Sequence, residues 1–237
     1  FDSMLALVAH LERAQRPYVN AITRGDAQID RSRNVIASAF LRSDCDVLLT
    51  VDADIWFRPQ DAVALCEKAM ERDIIGACYV TRGEPTQPAM MLPAGEAVLF
   101  QAGASPVKVD FLSTGFMAVT KKPFQALSEV VPRAHQNWRG PAGEDQSWWM
   151  FYTPYSIPWP GDVNLALSED WAFCQRAKDA GFDIWLDPSI RLGHNGDRLL
   201  TLEEMARPPR PAPQPLAMKR DLNGVVSVGL MQRQAAP

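Results

Sequence analysis

Two kinds of apolar pattern alternate along the chain, and together they predict an α/β protein. Apolar residues at helical spacing, bounded by capping and breaking residues, predict helices at 1–14, 30–41, 59–72, 123–130 and 168–180. Short apolar runs between them predict strands at 18–23, 45–51, 73–80, 97–101, 182–188 and 190–194, and a strand, a turn and a second strand over 109–120. Strands that alternate with helices of about 10 to 15 residues favour a mostly parallel central sheet with helices on both faces.

The two ends of the chain differ from its middle. The first residues already form an amphipathic helix, so we expect the first strand of such a sheet to lie before residue 1. Near the other end, "RPPRPAPQP" has the composition of a linker, and the residues after it are weakly patterned. We therefore predict one domain over residues 1–206 and a poorly ordered Pro-rich linker and tail over residues 207–237.

Composition narrows the class of protein and its partners. The 237 residues, of which 47% are hydrophobic and 22% charged, are enough for one large soluble domain. A net charge of −4 provides no basic surface for nucleic acid, and the apolar runs are far shorter than the roughly 20 residues that span a bilayer. The four cysteines are widely spaced, which is typical of reduced core residues. We therefore predict a cytoplasmic protein with no integral membrane segment.

The stretch "CDVLLTVDADIWFRP" (45–59) places two carboxylates directly after a buried strand. Asp52 and Asp54 repel each other unless a positive charge lies between them, and a divalent cation with oxygen ligands is the simplest candidate. The alternative is a solvated turn after the strand. An EF-hand loop is excluded, because Trp56 stands at the next ligand position and the required glycine is missing.

A second group of candidate residues lies in "LSEDWAFCQRAKDAGFDIWLDPSIRLGHNG" (167–196). Glu169 and Asp170 follow Ser168 in the first turn of a predicted helix, where acidic residues are common because they interact favourably with the helix dipole. His194 lies between Gly193 and Asn195, where the chain leaves a strand. On its own, such a histidine is more often structural than a metal ligand.

Five motifs in order resemble those of a GT-A glycosyltransferase of the family 2-like group, which acts on nucleotide sugars. They are "DRSRNVIASAFLRSD", "LLTVDADIWFRP", "DIIGACYVTR", "FLSTGFMAVTKKPFQAL" and "SEDWAFCQRAKDAGFDIWLDPSIRLGHNG", and the match spans roughly residues 1–197. The resemblance implies a Rossmann-like α/β fold and a nucleotide-sugar donor. It also implies a glycan or another hydroxylated molecule as the acceptor.

The resemblance also assigns a donor and metal side to the site. Asp54 would bind the metal ion, Asp52 would hold the ribose or a metal-bound water, and His194 would be the third protein group at the ion. Carboxylate and imidazole ligands together with phosphate oxygens suit Mn²⁺ or Mg²⁺, and the imidazole favours Mn²⁺. The other residues implied on the donor side are Arg31, Arg33, Asn34 and Ala53.

On the acceptor side, the resemblance implies that Asp170 is the catalytic base, with Glu169 as the alternative. Thr114 and Gly115 would line the acceptor. Indole rings can stack on sugar rings or serve as core residues and loop anchors, and both uses are open for these tryptophans. The candidates are Trp138, Trp148, Trp149 and Trp159.

Two other functions fit parts of this pattern. A metal-dependent phosphohydrolase also uses Asp-x-Asp after a strand, but it would have Thr or Val at position 56 and a later acidic pair. A non-catalytic carbohydrate-binding protein would use the aromatic loops and would need no base. We expect glycosyl transfer, because a leaving diphosphate needs a Lewis acid and an acceptor hydroxyl needs a carboxylate to remove its proton.

Overall fold

The predicted helices are confirmed, with ends that differ from the prediction by at most two residues. The computed structural model describes residues 2–23, 26–81, 87–135, 147–195, 216–224 and 226–230. In these ranges the helices are α1 (Asp2–Arg13), α2 (Ile29–Arg42), α3 (Pro59–Arg72), α4 (Lys121–Ser128) and α5 (Glu169–Asp179). Pro59 occupies the first turn of α3, where its missing N–H leaves no hydrogen bond unmade. Within the described ranges, none of the helices has both the length and the apolar character needed to cross a membrane.

The strands are shorter and more numerous than predicted. In the first half of the chain they are β1 (Val47–Val51), β2 (Ile55–Trp56), β3 (Ile74–Gly76), β4 (Met90–Met91), β5 (Ala97–Phe100), β6 (Val107–Val109), β7 (Phe111–Leu112) and β8 (Phe116–Thr120). In the second half they are β9 (Arg133–His135), β10 (Ser147–Trp149), β11 (Tyr155–Trp159), β12 (Val163–Leu167), β13 (Ile184–Leu186), β14 (Gly193–His194), β15 (Leu216–Arg220) and β16 (Val226–Leu230). The predicted strand at 18–23 is wrong: this segment pairs with no strand in the described structure, and Val19 and Ile22 are exposed.

The main sheet is mixed, so the prediction of a mostly parallel central sheet is wrong. Its described strands lie in the order β1-β8-β3-β13-β6, and of these four pairings only β3 with β13 is parallel. The alternation of strands and helices does make β1, β3 and β13 run in the same direction. It gives no sign that β8 inserts between β1 and β3 and runs against both, with Val119 opposite Leu48 on one side and Ile74 on the other. The smaller sheets in the described structure are antiparallel, and β11–β12 and β15–β16 are hairpins.

Apolar side chains of the main sheet alternate between two clusters, and each cluster packs against helices. Ile74 and Met117 belong to the cluster that includes residues of α2, α4 and α5, such as Phe40, Phe124 and Phe173. The neighbouring residues Ile75 and Ala118 belong to the cluster that includes Leu7 of α1 and Leu65 and Ala69 of α3. Successive residues of a strand point to opposite faces, so apolar residues in succession bury both faces of the sheet.

The arrangement of the strands brings several polar residues to one edge of the sheet. Asp52 follows the end of β1, and Tyr79 lies three residues beyond the end of β3, which runs in the same direction. Because β8 runs the opposite way, the turn Ser113–Gly115 that precedes it lies at the same edge. The backbone N–H of Asp52 donates to the carbonyl of Gly115 at 2.9 Å, which fixes the two segments side by side.

Part of the predicted tail pairs with the rest of the chain. β15 and β16 form an antiparallel hairpin, and β15 also pairs with β5. Met218 and Arg220 of β15 are buried, and the Arg220 guanidinium donates to the carbonyl of Leu92 at 2.7 Å. The proline-rich linker at 207–215 and the predicted domain boundary lie outside the described residues.

Candidate functional site

A buried arginine is bound to three carboxylates at this edge of the sheet. The Arg33 guanidinium, on α2, donates to both oxygens of Asp52 at 3.0 and 3.2 Å and to Oε1 of Glu169 at 2.7 Å. It also donates to Oδ1 of Asp170. Only 7% of the Arg33 side chain is exposed. We call Arg33, Asp52, Glu169 and Asp170 the carboxylate cluster; with all three carboxylates ionised, its formal charge is −2.

The electrostatics of the carboxylate cluster differ between its members. Burial opposes the charged form of Arg33, but the charges of Asp170, Asp52 and Glu169 outweigh it and raise the pKa of the guanidinium. Burial, followed by the charge of Asp170, raises the pKa of Glu169 above its ordinary value, although Arg33 acts in the opposite direction. The surroundings of Glu169 therefore favour its protonated form.

Asp170 is held by the turn that precedes β8. Its Oδ1 accepts from the hydroxyl of Thr114 at 2.5 Å, in addition to Arg33, and its Oδ2 accepts from the hydroxyl of Ser113 at 2.8 Å. Thr114 was predicted to line the acceptor; its side chain is completely buried and directed to Asp170. The position of Asp170 in the first turn of α5 therefore does more than stabilise a helix, since three side chains from two other segments converge on it.

A second pair of candidate residues comes from the short ladder between β2 and β14. His194 lies opposite Ile55, and the N–H of Asn195 donates to the carbonyl of Asp54 at 2.8 Å. This pairing brings Nε2 of His194 to 3.4 Å from Oδ2 of Asp54. We call His194 and Asp54 the histidine–aspartate pair.

The other ring nitrogen of His194 determines what the histidine–aspartate pair can bind. Nδ1 lies 2.7 Å from the carbonyl oxygen of Val80, which can only accept, so Nδ1 carries a hydrogen. In the neutral ring, Nε2 then presents a lone pair towards the carboxylate of Asp54. Two acceptors that face each other in this way attract a cation, and a histidine whose other nitrogen donates to a backbone carbonyl is the usual form of a metal-binding histidine.

Gly115 and Tyr79 lie between the carboxylate cluster and the histidine–aspartate pair. A Cβ atom on Gly115 would lie 2.5 Å from the hydroxyl of Tyr79 and 2.8 Å from Oδ2 of Asp52, so a side chain at 115 would displace both groups. The ring of Tyr79 packs edge-on against the imidazole of His194, with 5.1 Å between the centroids. Burial, with the charges of Asp52 and Asp170 adding to it, raises the pKa of Tyr79 to about 12. Sequence reasoning missed Tyr79, although its place after a strand that runs in the same direction as β1 could have indicated it.

Several predicted donor residues make their contacts elsewhere. Arg31 pairs with Asp26 at 2.6 and 2.9 Å. Asn34 is buried, and its side-chain oxygen accepts from the N–H of Tyr152 at 2.8 Å, so it holds the chain that leads to α5. Ala53 is exposed in the turn between Asp52 and Asp54.

The predicted acceptor tryptophans differ in their surroundings. The guanidinium groups of Arg42 and Arg133 lie 5.1 and 4.8 Å from the ring centroid of Trp149. The backbone N–H of Trp149 donates to the Ser38 hydroxyl at 2.9 Å. Trp148 is half-buried on the opposite face of β10. Trp159 is 39% exposed on the β11–β12 hairpin, and Trp138 lies outside the described residues. In the described structure, the ring contacts of Trp149 are therefore with these two arginines and with Phe151.

The side chains predicted to hold Mn²⁺ or Mg²⁺ supply only part of a metal-binding set. Within the described ranges, no group of three or more His, Cys, Asp or Glu side chains is arranged to hold a metal ion. Both carboxylate oxygens of Asp52, the third residue of the predicted set, accept hydrogen bonds from Arg33. The histidine–aspartate pair supplies two ligands, and Mg²⁺ and similar ions commonly complete such a site with waters and substrate phosphates. The described residues therefore offer two protein ligands of the predicted set, Asp54 and His194, and not the third.

Comparisons with known proteins do not place the chain in a family. Neither a protein-family model nor a curated protein matches it. Among solved structures it is similar to a viral protein, A197 from STIV, with a TM-score of 0.47 and 15% identity, over 98% of this chain and 90% of that chain. A similarity of that size carries no inference about function. With no matching family model and a mixed sheet that has few parallel pairs, the assignment to the family 2-like GT-A glycosyltransferases is wrong.

Proposed function

We propose that this protein is a metal-dependent transferase that moves a sugar from a nucleotide-diphosphate sugar to a hydroxyl group of an acceptor. One observation carries the proposal: the histidine–aspartate pair and the carboxylate of Asp170 belong to separate segments that meet at one edge of the sheet. Tyr79, Gly115 and Asp52 lie between them. A group that holds a cation beside a group that accepts a proton is what this transfer requires.

The histidine–aspartate pair would hold the metal ion. The carbonyl of Val80 keeps the hydrogen of His194 on Nδ1, which leaves Nε2 available as a ligand beside Oδ2 of Asp54. When bound, Mn²⁺ or Mg²⁺ would neutralise the diphosphate of the donor and the charge that develops on it as it leaves. The protein's own contribution is to fix the two ligands before the donor arrives.

Asp170 would accept the proton of the acceptor hydroxyl. Its Oδ1 already accepts hydrogen bonds from Arg33 and Thr114, whereas its Oδ2 accepts one from Ser113, which leaves a lone pair on Oδ2 for that proton. As the proton moves to Asp170, the acceptor oxygen bonds to the anomeric carbon, and the bond from that carbon to the phosphate oxygen breaks. Glu169 is the alternative base, because its pKa is raised and its carboxylate accepts a hydrogen bond from the same Arg33 guanidinium.

The net charge of the carboxylate cluster supports the need for a cation. Three carboxylates share the single positive charge of Arg33, and the donor would add a negatively charged diphosphate. Like charges at these distances repel strongly in a partly buried site. A divalent ion at the adjacent histidine–aspartate pair would offset this repulsion, so donor binding should depend on the metal.

A product assay with a panel of nucleotide-diphosphate sugars tests this function. The protein is incubated with each donor, MnCl₂ and a mixture of sugar and alcohol acceptors, and the products are separated by chromatography. Release of nucleoside diphosphate that needs both Mn²⁺ and Asp54 would support glycosyl transfer. Release of inorganic phosphate would instead identify a metal-dependent phosphohydrolase. Binding of a glycan with no turnover of any donor would identify a carbohydrate-binding protein; either result would overturn the proposal.

A further inference from the structure

The most exposed tryptophan in the described structure lies beside the candidate site. Trp56 of β2 is 51% exposed, although its neighbours in the sequence, Ile55 and Phe57, are both buried. These two side chains fix the backbone in the core, and the indole between them remains accessible to solvent. Trp56 also follows Asp54 by two residues, so the Cα atoms of Trp56 and Asp54 are at most about 7 Å apart.

The short ladder between β2 and β14 fixes the position of this indole. Trp56 lies opposite Gly193, and a Cβ atom placed on Gly193 would lie 3.2 Å from Cβ of Trp56 and 3.7 Å from its ring atom Cε3. The indole therefore packs over the glycine, and a side chain at 193 would press on it. The next residue of β14 is His194, whose Nε2 lies 3.4 Å from Oδ2 of Asp54. One ladder thus holds the indole and the histidine–aspartate pair together.

Apolar and hydrogen-bonding groups are both accessible around His194. The side chain of Asp54 is 36% exposed. Val80, whose carbonyl oxygen lies 2.7 Å from Nδ1 of His194, is also exposed. A single exposed apolar residue needs no explanation, but an indole, a valine and a carboxylate around one histidine form a mixed surface. Such a surface suits a sugar ring, because its C–H face packs on the indole while its hydroxyl groups donate to the carboxylate.

The charge at this edge of the sheet favours an uncharged ring with many donors. The three carboxylates and one guanidinium of the carboxylate cluster have a formal charge of −2, and Asp54 adds another negative charge. These carboxylates accept hydrogen bonds and repel anions. The hydroxyl groups of a pyranose suit them, whereas a phosphate is repelled and a nucleobase presents acceptors of its own.

We infer that Trp56 is a binding platform for a pyranose ring, which stacks on the exposed indole while its hydroxyl groups donate to Asp54. This role deepens the proposed function, on which it rests for the source of the ring: the sugar of the donor or the acceptor. Stacking on the indole needs neither a metal ion nor turnover, so binding of the ring can be measured without either.

Saturation-transfer NMR of the whole protein, without added metal, tests the platform. The probes are the methyl glycosides of glucose, galactose, mannose and N-acetylglucosamine, with uridine and adenosine as nucleobase probes. We expect a methyl pyranoside to bind to the native protein, with the strongest transfer to the C–H protons of one ring face. Trp56→Leu should weaken this binding roughly 3- to 10-fold, the scale of one aromatic contact, and Trp56→Phe should weaken it less because it keeps a ring.

The matched control is Met70→Ala, which should leave pyranoside binding unchanged. Met70 is an exposed apolar residue near the end of α3, where the chain leads into the start of β3, whereas the site lies beyond the ends of β1 and β3. Thermal melting establishes folding. If Trp56→Leu does not fold, Trp56→Thr replaces it, because a β-branched side chain suits a strand.

Three results would overturn the platform. They are no binding of any methyl pyranoside to the native protein, equal pyranoside affinity in the native protein and folded Trp56→Leu, and an equal loss in Met70→Ala. Loss of uridine or adenosine binding in Trp56→Leu, with pyranoside binding unchanged, would assign the indole to a nucleobase and overturn the sugar.

Turnover in the same variants separates the platform from the proposed function. With a donor that the native protein turns over, Trp56→Leu should raise one KM with kcat nearly unchanged, because stacking holds the ring equally before and during the reaction. The substrate whose KM rises, donor or acceptor, is the source of the ring. Unchanged KM values for both substrates would overturn the platform and leave the proposed function standing. Pyranoside binding that depends on Trp56, in a protein that turns over no donor, would overturn the proposed function and leave the platform standing.

Discussion

Replacing Arg33 with methionine removes the positive charge on which the carboxylate cluster depends. The side chain is 7% exposed, and its guanidinium serves Asp52, Glu169 and Asp170. Breaking a buried ion pair on one side costs about 3 to 5 kcal/mol, because the remaining charges stay buried without a partner. The side chains of Asp52 and Glu169 retain 31% and 18% of their exposure, so water offsets part of the loss. We therefore expect Arg33→Met to lower the free energy of unfolding by about 3 kcal/mol, the lower end of that range.

Urea unfolding followed by tryptophan fluorescence measures this cost, and Arg31→Met is the matched control. Arg31 lies two residues away on the same helix, and its pair with Asp26 is more accessible to water, with 37% of the arginine and 20% of the aspartate side chain exposed. Such surface pairs contribute about 0 to 1 kcal/mol. The loss in Arg33→Met should also shrink in acid, as the carboxylates become protonated. Equal losses in the two variants at neutral pH, or a loss in Arg33→Met that does not change with pH, would refute the described cluster.

Two further predictions concern neighbouring residues. Gly115→Ala should destabilise the protein by about 1 to 3 kcal/mol and abolish turnover, because its Cβ would displace Tyr79 and Asp52; native activity in the variant, measured with its urea midpoint, would contradict the close approach of these groups. Glu169→Gln should be more stable than the native protein at high pH. In the folded native protein the pKa of Glu169 is raised, mainly by burial. The stability that the protein gains from the proton on Glu169 is therefore fully present below the ordinary pKa of a glutamate, and it is lost as the pH rises through the pKa of Glu169 in the folded state. Melting temperatures measured between about pH 4 and 8 should show the advantage of Glu169→Gln over the native protein growing as the pH rises. A difference in melting temperature that does not change with pH would count against a raised pKa of Glu169.

The helices could be predicted from the sequence because their signals are local. Apolar spacing marks the helices, and the proline at 59 marks the start of α3; Ser168 stands at the N-cap position of α5 but makes no side-chain capping hydrogen bond. The order of the strands could not be predicted, because the insertion of β8 between β1 and β3 depends on contacts between residues far apart in the chain. Residues 18–23 have strand-like composition, but composition alone does not supply a neighbouring strand to pair with.

The candidate site was predictable in part for the same reason. Some site residues can be found in the sequence because they are polar and lie directly beside a predicted strand or helix. They are Asp52, Asp54, Glu169, Asp170 and His194. The contacts between these residues cannot be found in this way. Arg33 and Asp170 are 137 positions apart in the sequence, and they meet only in the folded chain. The same limit affected the tryptophans, since the sequence gives no sign that two arginines contact the ring of Trp149.

Binding of the donor and its turnover, measured with and without Mn²⁺ in matched variants, tests the proposed function most directly. Asp54→Ala and His194→Ala should each bind the donor weakly and without response to Mn²⁺, because each removes one of the two groups that would hold the ion. Asp170→Asn should bind the donor with native, Mn²⁺-dependent affinity while turnover falls roughly 10²- to 10⁴-fold, the scale of losing a general base. Loss of turnover in Glu169→Gln with normal turnover in Asp170→Asn would move the base to Glu169. Normal turnover in both carboxylate variants, or Mn²⁺-dependent donor binding in Asp54→Ala, would contradict the proposed function.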